Sequence, residues 1–257
     1  MRHLIFLLAN LLLSQPNSAR AVNVPAPLSP EILATLSPEA QLGAHIFFDS
    51  ELSAPSGQSC ASCHDPKTAY TDPGLTSPVS PGVIPGRSGS RNTPSVLYTK
   101  FSPSLYFDNQ DNTFVGGQFL DGRAKDLIEQ AKGPFLNPDE MHNPTIDSVI
   151  EKLRTRPYAA QFKQLFGRDA LDNSEHAFQL TAQALAQFEQ SALFSPFSSK
   201  YDAYLAGQAQ LTDQEKWGLI LFNDEKKGNC AACHPSTSTD DTPPLFTDFT
   251  YDNLSSG

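Results

Sequence analysis

Apolar residues recur at helical spacing in two stretches that match one another. Leu36 to Asp49 (LSPEAQLGAHIFFD) aligns with Leu211 to Asp224 (LTDQEKWGLILFND). Leu42, Ile46 and Phe47 in the first, and Trp217, Leu221 and Phe222 in the second, share one side of a helix. Ser37 and Thr212 stand at the N-cap, Pro38 occupies the favoured first helical position, and Thr212 with Glu215 forms a capping box. Trp217 falls where the first copy has Leu42, which predicts a core residue. Further helices are predicted over 122–132, with Leu127, Ile128 and Ala131 on one side, and from a cap at Thr145 to about Gly167. Another is predicted over 174–192, with Phe178, Ala182, Leu185 and Phe188 on one face. Residues 65–118, rich in Pro, Gly, Ser, Asn and Asp, predict a loop-dominated segment. No series of alternating strands is visible, so the expected class is mainly α.

Each copy of the repeated helix leads into the same five-residue plan, Cys60-Ala61-Ser62-Cys63-His64 and Cys230-Ala231-Ala232-Cys233-His234. C-x-x-C-H is the attachment signature of c-type haem: two thiols add across the vinyl groups and the histidine ligates the iron. A zinc site using Cys60, Cys63, Cys230 and Cys233, or a pair of redox dithiols, is the competing reading, but it leaves the repeated histidine without a role. Two copies predict two cytochrome-c-like units with one haem c each, over 22–195 and 196–257. All four cysteines lie in the motifs, so no disulfide framework remains.

A basic start (Met1, Arg2, His3), an apolar run and Ala19-Arg20-Ala21 predict a signal peptide over 1–21, hence export to a periplasm or cell surface. No later segment is apolar enough to span a bilayer. The formal charge of −10 argues against nucleic acid as a partner and suits attraction of a basic electron donor.

Between the two haem motifs stand Arg91 to Ser95 (RNTPS), Phe119 to Ala124 (FLDGRA), Glu129 to Pro134 (EQAKGP) and Asn137 to Met141 (NPDEM). In this order the chain resembles the bacterial dihaem cytochrome c peroxidases and the related dihaem enzymes that oxidise tryptophan in partner proteins. The resemblance implies that the haem on His64 meets hydrogen peroxide and the haem on His234 takes electrons from a small donor, a cytochrome c or a cupredoxin. It places Gln130, Pro134 and Glu140 over the open haem face and makes Asn92 a ligand of a calcium ion. A partner-protein substrate, a plain electron carrier and a homodimer stay open alternatives.

The chemistry suits these residue types. A partly buried carboxylate such as Glu140 can carry a proton from one peroxide oxygen to the other. Gln130 can orient the peroxide, and Pro134 leaves room for a small ligand. Taken alone, Glu140 reads equally as a turn carboxylate and Gln130 as an exposed helical glutamine. Among the histidines, His45 and His176 are expected to be exposed, and His142 reads as a loop residue near the cavity.

Three departures stand out. The family's tryptophan between the haems is Leu120 here, which removes an oxidisable relay and leaves Phe119 or Tyr106 as neighbours. No histidine lies between His64 and His142 to close the first haem. The second unit is short, as if truncated, and the chain's two methionines are Met1 and Met141, so the family's usual sixth ligand of the second iron is missing and Tyr251 is a possible, unforced substitute.

Overall fold

The computed structural model describes residues 25–74, 77–238 and 242–251, so the expected signal peptide lies outside the described residues. A short helix α1 (Pro30–Leu33) leads into α2 (Pro38–Phe47), whose N-cap Ser37 accepts from the Ala40 amide. A single turn α3 (Cys60–Cys63) follows, then α4 (Leu127–Leu136), α5 (Ile146–Arg154), α6 (Ala159–Phe166) and α7 (Ser174–Glu189). The chain continues through α8 (Lys200–Leu205) and α9 (Asp213–Asn223) to a tight turn at Cys230–Ala232. The mainly helical class is as expected.

The core forms where α2 crosses α7, with α4 and α5 on the flanks of α7. Gly43 permits that crossing: a Cβ there would sit 1.9 Å from the Ala184 carbonyl oxygen. Around it Leu42, Ile46 and Phe47 meet Leu185 and Phe188, all buried. The rings of Phe47 and Phe188 meet edge to face at 5.3 Å, and Phe194 closes against Phe188 at 4.9 Å. Each fully buried ring of this kind is worth about 2–3 kcal/mol of transfer free energy. At the end of α2, Asp49 accepts from Arg156 Nε (2.8 Å) and Tyr158 Oη (2.6 Å), which ties the α5–α6 corner to α2.

That corner corrects one expectation. The single helix from Thr145 to Gly167 is two helices. Thr145 does cap α5, but Pro157 lacks an amide proton and disfavours helical backbone at Arg156, so the helix stops at Arg154 and restarts at Ala159. The helix predicted over 122–132 runs instead from Leu127 to Leu136, because Gly122 has φ +66° and Asp126 provides the cap. The loop segment contains an antiparallel hairpin, β1 (Tyr106–Asp108) with β2 (Thr113–Val115), in register Tyr106 to Val115. Three-residue strands are too short to leave an alternating signature. Phe249–Tyr251 runs beside β2, with the Gly116 amide donating to Phe249 O (2.8 Å) and the Tyr251 amide to Phe114 O (3.2 Å).

Trp217 is also corrected: it is 61 % exposed, as are Ile220 and Leu221 beside it in large part. The repeat copies the helix but not its surroundings. Among the described residues nothing covers α9 as α7 covers α2.

Candidate functional site

The first Cys-Ala-Ser-Cys-His motif is built into a cavity of about 450 Å³, within the usual range of cofactor sites, about 300–1,000 Å³. The turn of α3 is pinned by Ser59 and Ser62, the Ser59 amide donating to Ser62 Oγ at 3.0 Å. This turn sets Cys60 and Cys63 on the cavity wall and His64 at its C-cap. His64 Nδ1 lies 3.0 Å from the Tyr70 carbonyl oxygen. That carbonyl can only accept, so Nδ1 carries the proton and Nε2 is left as the ligating nitrogen. Burial lowers the His64 pKa, partly opposed by its backbone hydrogen bonds, and so favours the neutral ring a metal needs. Burial likewise pushes the Cys60 thiol up and the Cys63 thiol up to about 11.

The same cavity takes Gln130, Pro134 and Glu140. Gln130 and Pro134 lie one turn apart on α4, and Pro134 has no amide proton to give the Gln130 carbonyl. The turn after α4 folds back onto it, the Met141 amide donating to Pro134 O at 3.2 Å. Asn137 Nδ2 donates to Glu140 Oε1 at 2.8 Å. Burial raises the Glu140 pKa, while the Asn137 hydrogen bond and the charge of Arg123 pull it back. The cavity therefore brings together the five expected residues Cys60, Cys63, His64, Gln130 and Glu140, with Pro134 between the last two along the chain. Asn92 and Leu120 border it as well, Leu120 being 53 % exposed.

Sequence reasoning missed two features of this cavity. Arg91 Nη1 (2.5 Å) and Arg123 Nη1 (2.7 Å) both donate to Asp121. Partial burial opposes ionisation of Asp121, but these donors outweigh it and bring its pKa to about 2. Arg123 also lies over the Phe119 ring at 3.7 Å. The second missed residue is Glu189, the last of α7, only 6 % exposed and on the cavity wall. Burial alone raises its pKa to about 8. Its signal was present in the helical period: Glu189 stands four residues after Leu185, on the apolar face.

The second motif is set differently. Cys230, Cys233 and His234 are exposed, and His234 Nδ1 lies 2.8 Å from the Phe246 carbonyl oxygen, which fixes its tautomer as at His64. Tyr251 Oη donates to Gly116 O at 2.8 Å, and its hydroxyl packs where a Cβ on Gly122 would stand (2.7 Å). The hydroxyl that offered a possible ligand for the second iron is thus engaged at the Gly116–Gly122 bend. Among the described residues no three His, Cys, Asp or Glu side chains gather as a metal-holding cluster, so the four-cysteine zinc reading fails. Among the described residues no such group surrounds Asn92 either. His142 turns away from the cavity, its Nδ1 3.1 Å from Pro138 O, and His176 is exposed. His45 is a correction: it is half-buried and stacks on Tyr158 at 5.8 Å, because the α5–α6 corner covers it.

A C-x-x-C-H motif lining a cavity, with a second such motif whose histidine is oriented in the same way, is the pattern expected of a c-type protein with two attachment centres. The chain belongs to the di-haem cytochrome c peroxidase family, whose model matches residues 37–210. It is 41 % identical over 222 residues to the methylamine utilization protein MauG of Paracoccus denitrificans, covering 84 % of this chain and 56 % of that protein. It is 36 % identical over 198 residues to the cytochrome c551 peroxidase of Pseudomonas aeruginosa, covering 76 % and 50 %. The diheme peroxidase BthA of Burkholderia thailandensis superposes with a TM-score of 0.77 at 41 % identity, covering 83 % of this chain and 53 % of that one. The chain thus spans about half the length of these relatives. The family read from the four central strings is borne out.

Proposed function

We propose that the chain works as a dihaem c-type oxidoreductase that reduces hydrogen peroxide at the cavity of His64, fed with electrons through the haem on His234. The observation that carries this reading is the half-buried Glu140, oriented by Asn137, in the same cavity as His64 and the paired thiols. Cys60 and Cys63 would hold the first haem and Cys230 and Cys233 the second, with His64 and His234 as iron ligands. The haem, when bound, supplies a redox iron that can take peroxide as a ligand. Glu140 takes the proton from the near peroxide oxygen and returns it to the far one, and the net change is one peroxide, two protons and two electrons to two waters. Gln130 orients the peroxide by hydrogen bonds without changing its own charge. Pro134 keeps that part of the wall compact. Arg91 and Arg123, at the same cavity, suit the carboxylates that a haem carries at its outer edge. The electron donor is a small cytochrome c or cupredoxin, and export through residues 1–21 belongs to the same reading. So do a calcium ion near Asn92 and the division into units at 22–195 and 196–257.

A second reading, oxidation of tryptophan in a partner protein, is favoured by the higher identity to MauG (41 %) than to the Pseudomonas peroxidase (36 %). One assay separates the two. Peroxide turnover is measured with reduced donor in the haem-loaded protein and in Glu140→Ala, where loss of the proton carrier lowers kcat by about 10²–10⁴-fold. Turnover equal in both proteins refutes the role of Glu140. Peroxide consumed only when a partner protein is added supports the second reading.

A further inference from the structure

We propose that Glu189 is a second proton-carrying group of the haem cavity: its carboxylate takes up a proton when the neighbouring haem gains an electron, and releases it when the electron leaves. This rests on the reading that Cys60 and Cys63 hold a haem.

The geometry sets Glu189 apart from every other carboxylate at the cavity. It ends α7 with its side chain turned into the cavity wall, only 6 % exposed. No hydrogen bond or ion pair to it is found among the described residues. Glu140 has Asn137 as a donor, and Asp121 has two arginines. The elements packed on α7 present buried apolar side chains, among them Leu42, Ile46 and Phe47 on α2, Leu127, Ala131 and Phe135 on α4, and Val149 and Ile150 on α5. The titratable and charged groups that face the same cavity are Cys60 beside it, Cys63, His64, Glu140, and the Arg91, Asp121 and Arg123 cluster with Asp139 near it. Cys60 is close enough for the Glu189 charge to raise its thiol, more strongly than Glu140 does. Once Cys60 is a thioether it no longer titrates, and Glu189 stands against the attachment edge of the haem.

A buried carboxyl with no donor and no counterion is held in its neutral form by desolvation. Its proton affinity is then governed by whatever charge changes nearby. An added electron makes the haem more negative by one unit, and at low local dielectric this interaction is strong. The balance is one electron from the donor to the haem and one proton from solvent to the Glu189 carboxylate, both reversed on oxidation. Raised by burial to about 8, the group titrates in the range where such coupling operates at physiological pH.

The test is a spectroelectrochemical titration of the haem-loaded protein from neutral to alkaline pH, following the haem of the first motif. In the wild-type chain the potential falls with rising pH, approaching about 59 mV per unit, the tenfold change in proton activity converted for a one-electron couple. In Glu189→Gln the slope is lost while haem content and Soret band are unchanged. A slope retained in Glu189→Gln, or lost only in Glu140→Gln, overturns the assignment. So does a pH-independent potential in the wild-type protein, which needs no variant. Should the variant fail to fold, reduced-minus-oxidised infrared spectra of the wild-type protein labelled with ¹³C-glutamate decide the matter: a shifted carboxylic-acid band supports it and its absence overturns it. A chain that carries no covalent haem removes the underlying reading as well, and a haem stain distinguishes that result from the others.

Discussion

Gly43→Ala tests the crossing on which the first cavity depends. The added methyl would sit 1.9 Å from Ala184 O and 2.8 Å from Phe188 Cβ. Ordinary contact needs about 3.5 Å, so α2 must lift from α7 by about 1.5 Å or tilt. Overpacking a core costs about 1–3 kcal/mol where side chains can give way. Here the nearest obstacle is a main-chain carbonyl, which cannot rotate aside, so the upper end applies. Alanine returns up to about 1 kcal/mol through better helix propensity. The net expectation is a loss of about 2 kcal/mol or more. Urea unfolding of the haem-loaded protein, followed by far-ultraviolet circular dichroism, measures it as a lower midpoint at unchanged slope. Phe47 lies on both the crossing and the cavity wall, so the Soret band should shift too. A midpoint within error of wild type would mean that α2 and α7 do not approach as described.

Two further expectations concern the cavity itself. Glu140 is needed ionised to accept a proton, and burial raises its pKa, so kcat/KM falls as pH drops through that raised value. The Asn137 hydrogen bond opposes the rise, so Asn137→Ala moves the acid limb to higher pH; a limb that stays in place denies Glu140 the role of base. Leu120→Trp puts an oxidisable ring at the cavity lip and should speed electron transfer between the haems, and an unchanged stopped-flow rate would remove that position from the path.

What could be read in the sequence depended on whether a residue's environment was local. α2 and α7 were legible because Leu42, Ile46, Phe47, Phe178, Leu185 and Phe188 mark one face of each helix at regular spacing. The motif cysteines and histidines were legible because their chemistry needs a fixed short interval. Trp217 was misread because burial depends on what lies opposite, and the repeat says nothing of that. The break before Pro157 was legible in principle, since the missing amide proton is written in the sequence, but a cap at Thr145 and Gly167 mark only the outer ends of the pair. Glu189 escaped because a charged residue on an apolar face reads as noise until a cavity is found beneath it. The joining of Arg91 to Asp121 across 30 positions has no local trace at all.

The strip Phe246 to Tyr251 gives the two halves of the chain a common mechanical element. One end offers the carbonyl that steers the His234 ring, and the other fastens the Gly116–Gly122 bend next to Leu120. A few ångströms of slippage along β2 would disturb both at once. Engineering one centre without retuning the other would therefore require cutting this tether, not merely changing a ligand.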